Sequence, residues 1–139
     1  MPALPEPPPG DDTDDAPPLG QGLAVAAESL YLINLLLLPG LGFLLLLWLF
    51  FHYRDSAPPL ARVHLRQTVS ASLWAGALLI FTNLLIVVLG GYQAAWTWII
   101  VILYFTTVHA TLVLLGILGL ARALAGQPCR YPLVGTLLS

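Results

Sequence analysis

The 139-residue chain contains no lysine, one cysteine, and only 9% charged residues. Each shortage excludes something. Cys129 alone cannot close an internal disulfide, and it excludes any site built from several thiolates of one chain. A soluble domain carries roughly 25% charged residues, so this chain has too little polar surface to stay in water. Beyond Asp55 there is no acid; Arg62, Arg66, Arg122 and Arg130 are the charges that follow it. No basic patch interleaved with aromatics suggests nucleic acid as a partner. No Ser/His/Asp set, paired carboxylates, Gly-rich phosphate loop or metal-ligand spacing is present, so an enzyme is not expected.

What is present is apolar: 58% of the residues are hydrophobic. The expected fold class is therefore all-α, an integral membrane protein with three transmembrane helices. Residues 1–20, MPALPEPPPGDDTDDAPPLG, hold Glu6, Asp11, Asp12, Asp14 and Asp15 without a base, and predict a disordered Pro/Asp-rich tail. The tail lacks the basic region of a signal peptide. Residues 21–126 predict the transmembrane domain, with spans at about 23–52, 68–90 and 95–121. The segment Leu30 to Phe51 would reach about 33 Å at ~1.5 Å per residue, enough for a hydrocarbon core of ~30 Å. Pro39-Gly40 near its middle predicts a kink in that first helix. The uncharged linker GGYQAAW makes the second and third spans a hairpin. Gly126 and Pro128 should end the third near Ala125, leaving residues 127–139 as an interfacial segment.

The arginines set the expected orientation. Arg54, Arg62 and Arg66 flank the first connection, Arg122 and Arg130 follow the last span, and the second connection has none. The bias toward cytoplasmic arginine places the N-terminus in the periplasm and the C-terminus in the cytoplasm of a bacterial inner membrane. Arginine without lysine, beside heavy Leu, Ala, Gly and Pro use, points to a GC-rich bacterial genome. Tyr92, Trp96 and Trp98 fit an outer aromatic belt, and Trp48 and Tyr53 an inner one.

Membrane helices associate through small residues and interhelical hydrogen bonds. Ser72, Gly76 and Asn83 share one side of the second span, with Ser72 and Gly76 forming a small-xxx-small pair. Tyr104, Thr107 and Thr111 share a face of the third, and Phe105, His109 and Gly116 another. Asn34, Asn83 and Tyr104 fall at similar depth, so Asn34 and Asn83 are expected to meet. With Pro39, these residues form the expected set of helix-packing and partner contacts.

His109 is the titratable group near the bilayer centre, a weak candidate for a cofactor. The apolar cores of the spans, the first taken from Leu30 to Phe51, hold no carboxylate to complete a proton relay with it. The bland reading is a neutral imidazole bonded to a neighbouring helix. His52 and His64 belong to the cytoplasmic rim and could meet one another. Arg54, His64, Arg66, Arg122 and Arg130 are expected at lipid headgroups, with Asp55 paired to Arg62 or Arg66.

Two stretches, LPGLGFLLLLWLFFHYRDSAPPLARVHLRQTVSASL and GLARALAGQPCRYPL, carry a resemblance. The positions are Pro39 and Gly40, then His64, Arg66 and Gln67, then Ala123, Gly126, Tyr131 and Pro132. Together they resemble the small bacterial DUF4870 membrane proteins, related to the Tic20-like family, over roughly residues 28–135. The resemblance implies a small multi-pass membrane protein without established chemistry. The function expected is a non-catalytic accessory or assembly subunit of a larger membrane complex. Its partners would be membrane lipids and other integral membrane subunits, with bound lipid and no cofactor. The alternatives are a cofactor- or quinone-associated redox subunit using His109, and a homo-oligomeric channel or transporter.

Overall fold

A computed structural model describes residues 16–134. Most of the acid-rich tail, including Asp11, and residues 135–139 lie outside the described residues. The described chain is helical and holds no strand. Its helices are α1 (Gln21–Leu36), α2 (Leu41–Tyr53), α3 (Pro59–Val88) and α4 (Thr97–Leu124). Within α4, Tyr104–His109 is π-helical, between α-helical Thr97–Leu103 and Ala110–Leu124.

The first apolar run is not one kinked helix, as the sequence suggested, but two. Pro39 has no N–H to donate, and Gly40 stands at φ +90°, a conformation that favours glycine. The side chain of Asn34 completes the break. Its Oδ1 accepts the backbone N–H groups of Gly40 (2.9 Å) and Phe43 (3.1 Å), donors that the start of α2 leaves without helical partners. Gly42 then lies so close to α1 that a Cβ there would sit 2.7 Å from the Asn34 nitrogen. Farther from the turn, Leu46 and Leu49 of α2 join Tyr31 and Ala27 of α1 in one apolar cluster. With the turn at Pro39-Gly40, α2 packs back against α1 as a hairpin.

Pro59 at the first position, behind Pro58, starts α3 with its φ already helical. Gly90 and Gly91 end it. The α3–α4 turn is closed by Trp96 Nε1 donating to the Leu89 carbonyl (2.7 Å) and Thr97 Oγ1 to that of Gly91 (2.7 Å). The last turn of α4 closes with the Gly126 N–H on the Ala123 carbonyl (3.0 Å) and the Gln127 N–H on that of Arg122 (2.8 Å).

The hairpin changes where the chain's ends lie. Gln21 Nε2 donates to the Leu124 carbonyl at 2.6 Å, and Gly20 lies against Pro58 and Ala61. The starts of α1 and α3 and the end of α4 therefore share one end of the bundle. A first span carrying the chain across would have left Gln21 and Leu124 at opposite ends. Arg54, Arg62, Arg66, Arg122 and Arg130 belong to this same end, while α3 and α4 extend away from it. Both are long and apolar enough to cross a membrane; α1 has 16 residues and α2 13.

Each packed helix buries one stripe. On α1 it is Ala24, Ala27, Glu28 and Tyr31; on α3 it includes Ala61, His64, Leu65 and Thr68. On α4 it is Leu112, Gly116, Gly119 and Ala123. These follow the i, i+3, i+4, i+7 pattern of a single helical face. The apolar core gathers near the arginine-bearing end. Farther along, Ile80, Phe81, Leu84, Val88, Trp98 and Ile102 are exposed, an arrangement suited to lipid.

The hairpin geometry makes Gly42→Ala costly, by about 1–3 kcal/mol, because the added methyl meets backbone rather than a flexible side chain. Gly76→Ala meets nothing within 4 Å and should hold or raise stability. Thermal unfolding of both variants in mild detergent checks the pair. Equal midpoints for Gly42→Ala and wild type would overturn the hairpin.

Candidate functional site

Two polar constellations stand out in this apolar protein: a closed node at the arginine-bearing end and an open cavity farther along the bundle.

The node is built on Glu28, whose side chain is 0% exposed, as is that of His64. The two meet at 2.6 Å, Nδ1 to Oε1. Gln67 donates its amide to the same oxygen at 2.6 Å. The other carboxylate oxygen accepts the Tyr131 hydroxyl. His64 Nε2 lies 3.0 Å from the Gln127 carbonyl, which can only accept, so Nε2 carries a proton. The Nδ1–Oε1 contact then holds one further proton, on nitrogen or on oxygen. Either way the pair is neutral overall, which makes its burial tolerable. Gly119 of α4 gives the node room: a Cβ there would collide with the Tyr131 hydroxyl and the Glu28 carboxylate. Thr68 turns its hydroxyl back to the His64 carbonyl (2.8 Å).

The node joins four parts of the chain. Glu28 comes from α1, His64 and Gln67 from α3, and Gly119 from α4; Gln127 and Tyr131 come from the segment after it. Tyr31 extends it by donating to the Leu112 carbonyl at 3.2 Å. Burial first, and the Glu28 carboxylate second, hold the Tyr131 phenol well above its ordinary pKa, so it stays a donor. Burial likewise raises the Cys129 thiol, with Glu28 adding to the shift. The node ties α1, α3 and the segment after α4 together. Every carboxylate oxygen is occupied, and no group of three or more potential metal ligands occurs among the described residues.

The cavity, of about 610 Å³, lies between the α1–α2 turn, the middle of α3 and the π-helical segment of α4. Asn34, Pro39, Ser72, Gly76, Tyr104 and His109 all line it. Sequence reasoning had assigned these residues to helix contacts, and the structure brings them around a space instead. Ser72 and Gly76 face that space; nothing lies within 4 Å of a Cβ built at Gly76. Their small-xxx-small spacing therefore serves no close helix contact.

Several other expectations are corrected. Asn34 and Asn83 do not meet: Asn34 caps α2, while Asn83 donates to the Leu79 carbonyl (2.8 Å) and accepts from Tyr92 (2.5 Å). Thr107 and Thr111 turn back to carbonyls one turn earlier, Leu103 and Thr107, on an exposed face. Gly116 packs beneath Tyr31 and Leu32. His109 takes a ring contact with Phe105, centroids 5.1 Å apart. His64 is not a rim residue but the centre of the node, and His52 stacks on Trp48 at 5.3 Å instead of meeting it. Asp55 pairs with Arg54 at 3.3 Å rather than with Arg62 or Arg66. Arg62 donates to the Ala57 carbonyl (3.0 Å) and Arg122 to Gln127 (3.3 Å), while Arg66 and Arg130 are exposed.

Glu28 was missed altogether. The signal was there: a carboxylate inside GLAVAAESLYLIN, where a membrane-embedded acid is by default a functional hypothesis. Setting the first span's core at Leu30 left it two residues outside.

If the node locks the C-terminal segment, Glu28→Ala should destabilise the fold by about 3–5 kcal/mol, the range for breaking a buried pair. Tyr131→Phe should cost about 1–2 kcal/mol. Cys129 reports the release. With its thiol held protonated, iodoacetamide at pH 8 should alkylate it at least tenfold more slowly in the native protein than in Glu28→Ala. Equal alkylation rates would show that the segment is not held by the carboxylate.

The chain belongs to the MamF/MmsF magnetosome magnetite crystal formation protein family, whose model matches residues 21–138. This overturns the assignment to DUF4870 and Tic20-like proteins. The motifs behind that resemblance are short and separated by apolar runs that carry little family information, whereas the match spans the whole helical region. No curated protein and no solved structure matches the chain.

Proposed function

We propose that this protein is a non-catalytic accessory subunit of the magnetosome membrane, influencing magnetite crystal formation through helix contacts with other membrane proteins and with lipid. The match of residues 21–138 to the magnetite crystal formation family carries this reading. Two structural features support it. The polar node is closed and serves to hold helices together. The exposed large apolar side chains of α3 and α4 leave wide surfaces for lipid or for partner helices.

The architecture also suggests how the chain sits. In the reading favoured here α3 and α4 span, and α1–α2 enters and leaves on the same side. At ~1.5 Å per residue, α1 and α2 reach about 24 and 20 Å, short of a hydrocarbon core of ~30 Å. The arginines collect at the end shared by Gln21, Pro59 and Leu124, which would face the cytoplasm. The N-terminal segment would then lie on the cytoplasmic side too, opposite to the expectation from three spans. The α3–α4 turn, Gly90 to Trp96, would face the other compartment. It carries no acid to seize iron, which favours an indirect effect on the mineral.

Deletion and complementation in a magnetite-forming bacterium tests the function. Crystals of altered size or shape are expected in the deletion strain, restored by the wild-type chain and not by Glu28→Ala. Unchanged crystals would overturn the reading. For the topology, cysteines placed at Leu19 and at Tyr92 in a Cys129→Ser background should differ in labelling by an impermeant maleimide on spheroplasts. Tyr92→Cys should react and Leu19→Cys should not. Labelling of both would show that the first run crosses.

A further inference from the structure

We propose that the cavity beside the π-helical segment binds a neutral quinone-type isoprenoid lipid. Its ring carbonyls would lie toward Ser72, Tyr104 and His109, and its tail would pass into the bilayer. This goes beyond the accessory role and does not depend on it.

Size is the first argument. At about 610 Å³ the cavity falls within the roughly 300–1,000 Å³ of small-molecule sites. Charge is the second. No Asp, Glu, Lys or Arg lines the cavity. Ser72 stands six residues beyond Arg66 on α3, about 9 Å along the axis at ~1.5 Å per residue, inside the apolar zone. A phospholipid headgroup would leave its arginine-rich interface and give up its hydration to reach this depth.

Hydrogen-bond chemistry is the third argument. Ser72 is 5% exposed and its Oγ has no partner, a costly state in an apolar interior. Asn34 has spent its acceptor oxygen on the Gly40 and Phe43 N–H groups, so its amide offers only donors to the space. The Tyr104 hydroxyl and the His109 imidazole add further donors. A wall that can donate several hydrogen bonds and holds no carboxylate, lysine or arginine fits a ligand rich in neutral acceptors. Carbonyls on a planar ring meet that requirement, and Phe43, Tyr104 and Phe105 supply aromatic surface against the ring.

The backbone gives an independent sign. Tyr104, Phe105 and His109 all belong to the π-helical stretch of α4. Such wide turns recur at functional sites, where they re-aim side chains that a regular helix would place elsewhere. The mouth is bordered by exposed Leu79 and Ile80, so a hydrocarbon tail can leave toward lipid.

Full-length protein in nanodiscs of synthetic phosphatidylcholine, titrated with decylubiquinone, tests the proposal through quenching of tryptophan fluorescence. Saturable quenching is expected, with none from decylbenzene, which has the same tail and no carbonyls. Gly76→Leu places its side chain in the empty space and should weaken binding at least tenfold. Ser72→Ala removes a single hydrogen bond and should weaken it about fivefold. Quenching that rises linearly and equally in wild type and Gly76→Leu would overturn the proposal, as would equal saturation by decylbenzene. Unchanged affinity in Ser72→Ala would overturn the assigned role of the serine.

Discussion

A carboxyl group in a low-dielectric interior must be neutralised or paired, and in this protein that requirement falls on Glu28. Its position on α1, midway along the stripe of Ala24, Ala27 and Tyr31, sends it inward whether or not the interior is polar. The rest of the arginine-bearing end can be understood as the answer. His64 and Gln67 must face it from α3, Tyr131 must return to it from beyond α4, and residue 119 must have no side chain. Removing any one partner strands a buried polar group, and the cost of an unmade bond in such a place exceeds the net gain of a made one. The helices therefore have one arrangement that satisfies the carboxylate, the imidazole and the phenol at once. Association by apolar contact alone would leave several.

That arrangement in turn fixes the hairpin. For Glu28 to reach His64 while Gln21 reaches the Leu124 carbonyl, α1 must run alongside α3 and α4 from the arginine-bearing end. The chain must then come back within one helix length to begin α3 at that same end. Pro39 and Gly40 permit the reversal, and Asn34 stabilises it by supplying the acceptor that the first donors of α2 lack. A helix carried through position 39 would satisfy the local propensities of its leucines equally well. It would move Tyr53 and Pro59 to the far end, and His64 with them.

This explains what could and could not be read in the sequence. The helical class, the membrane-like composition and the hairpin of the last two helices rest on local quantities: run length, hydropathy and the short GGYQAAW linker. Each of these survives in the structure as long apolar helices. The break at Pro39-Gly40 was visible, but its sharpness depends on Asn34 six residues earlier bonding across the turn, and no periodicity reports that bond. Glu28 and His64 are 36 residues apart, and Glu28 and Tyr131 are separated by 103. Nothing local marks such partners. The quoted motif nonetheless held His64, Gln67, Gly126 and Tyr131, residues that converge in or beside the node, although the family assigned from it was not the right one.

The two constellations differ in a way that bears on function. In the node both Glu28 oxygens are taken, and of its side chains Gln67 alone keeps a buried oxygen without a partner, so what the site chiefly does is hold the helices. Around the cavity the balance is broken. Asn34 has given its oxygen to the backbone, Ser72 has an unmet hydroxyl, and Tyr104 and His109 share one widened turn of helix. Polar groups left open in an apolar medium carry a free-energy cost that burial elsewhere must offset, here at the opposite end of the same helices. Glu28 ties α1, α3 and the segment after α4 together at that far end. Without a fixed end, the helices could close over the space and satisfy those groups against each other.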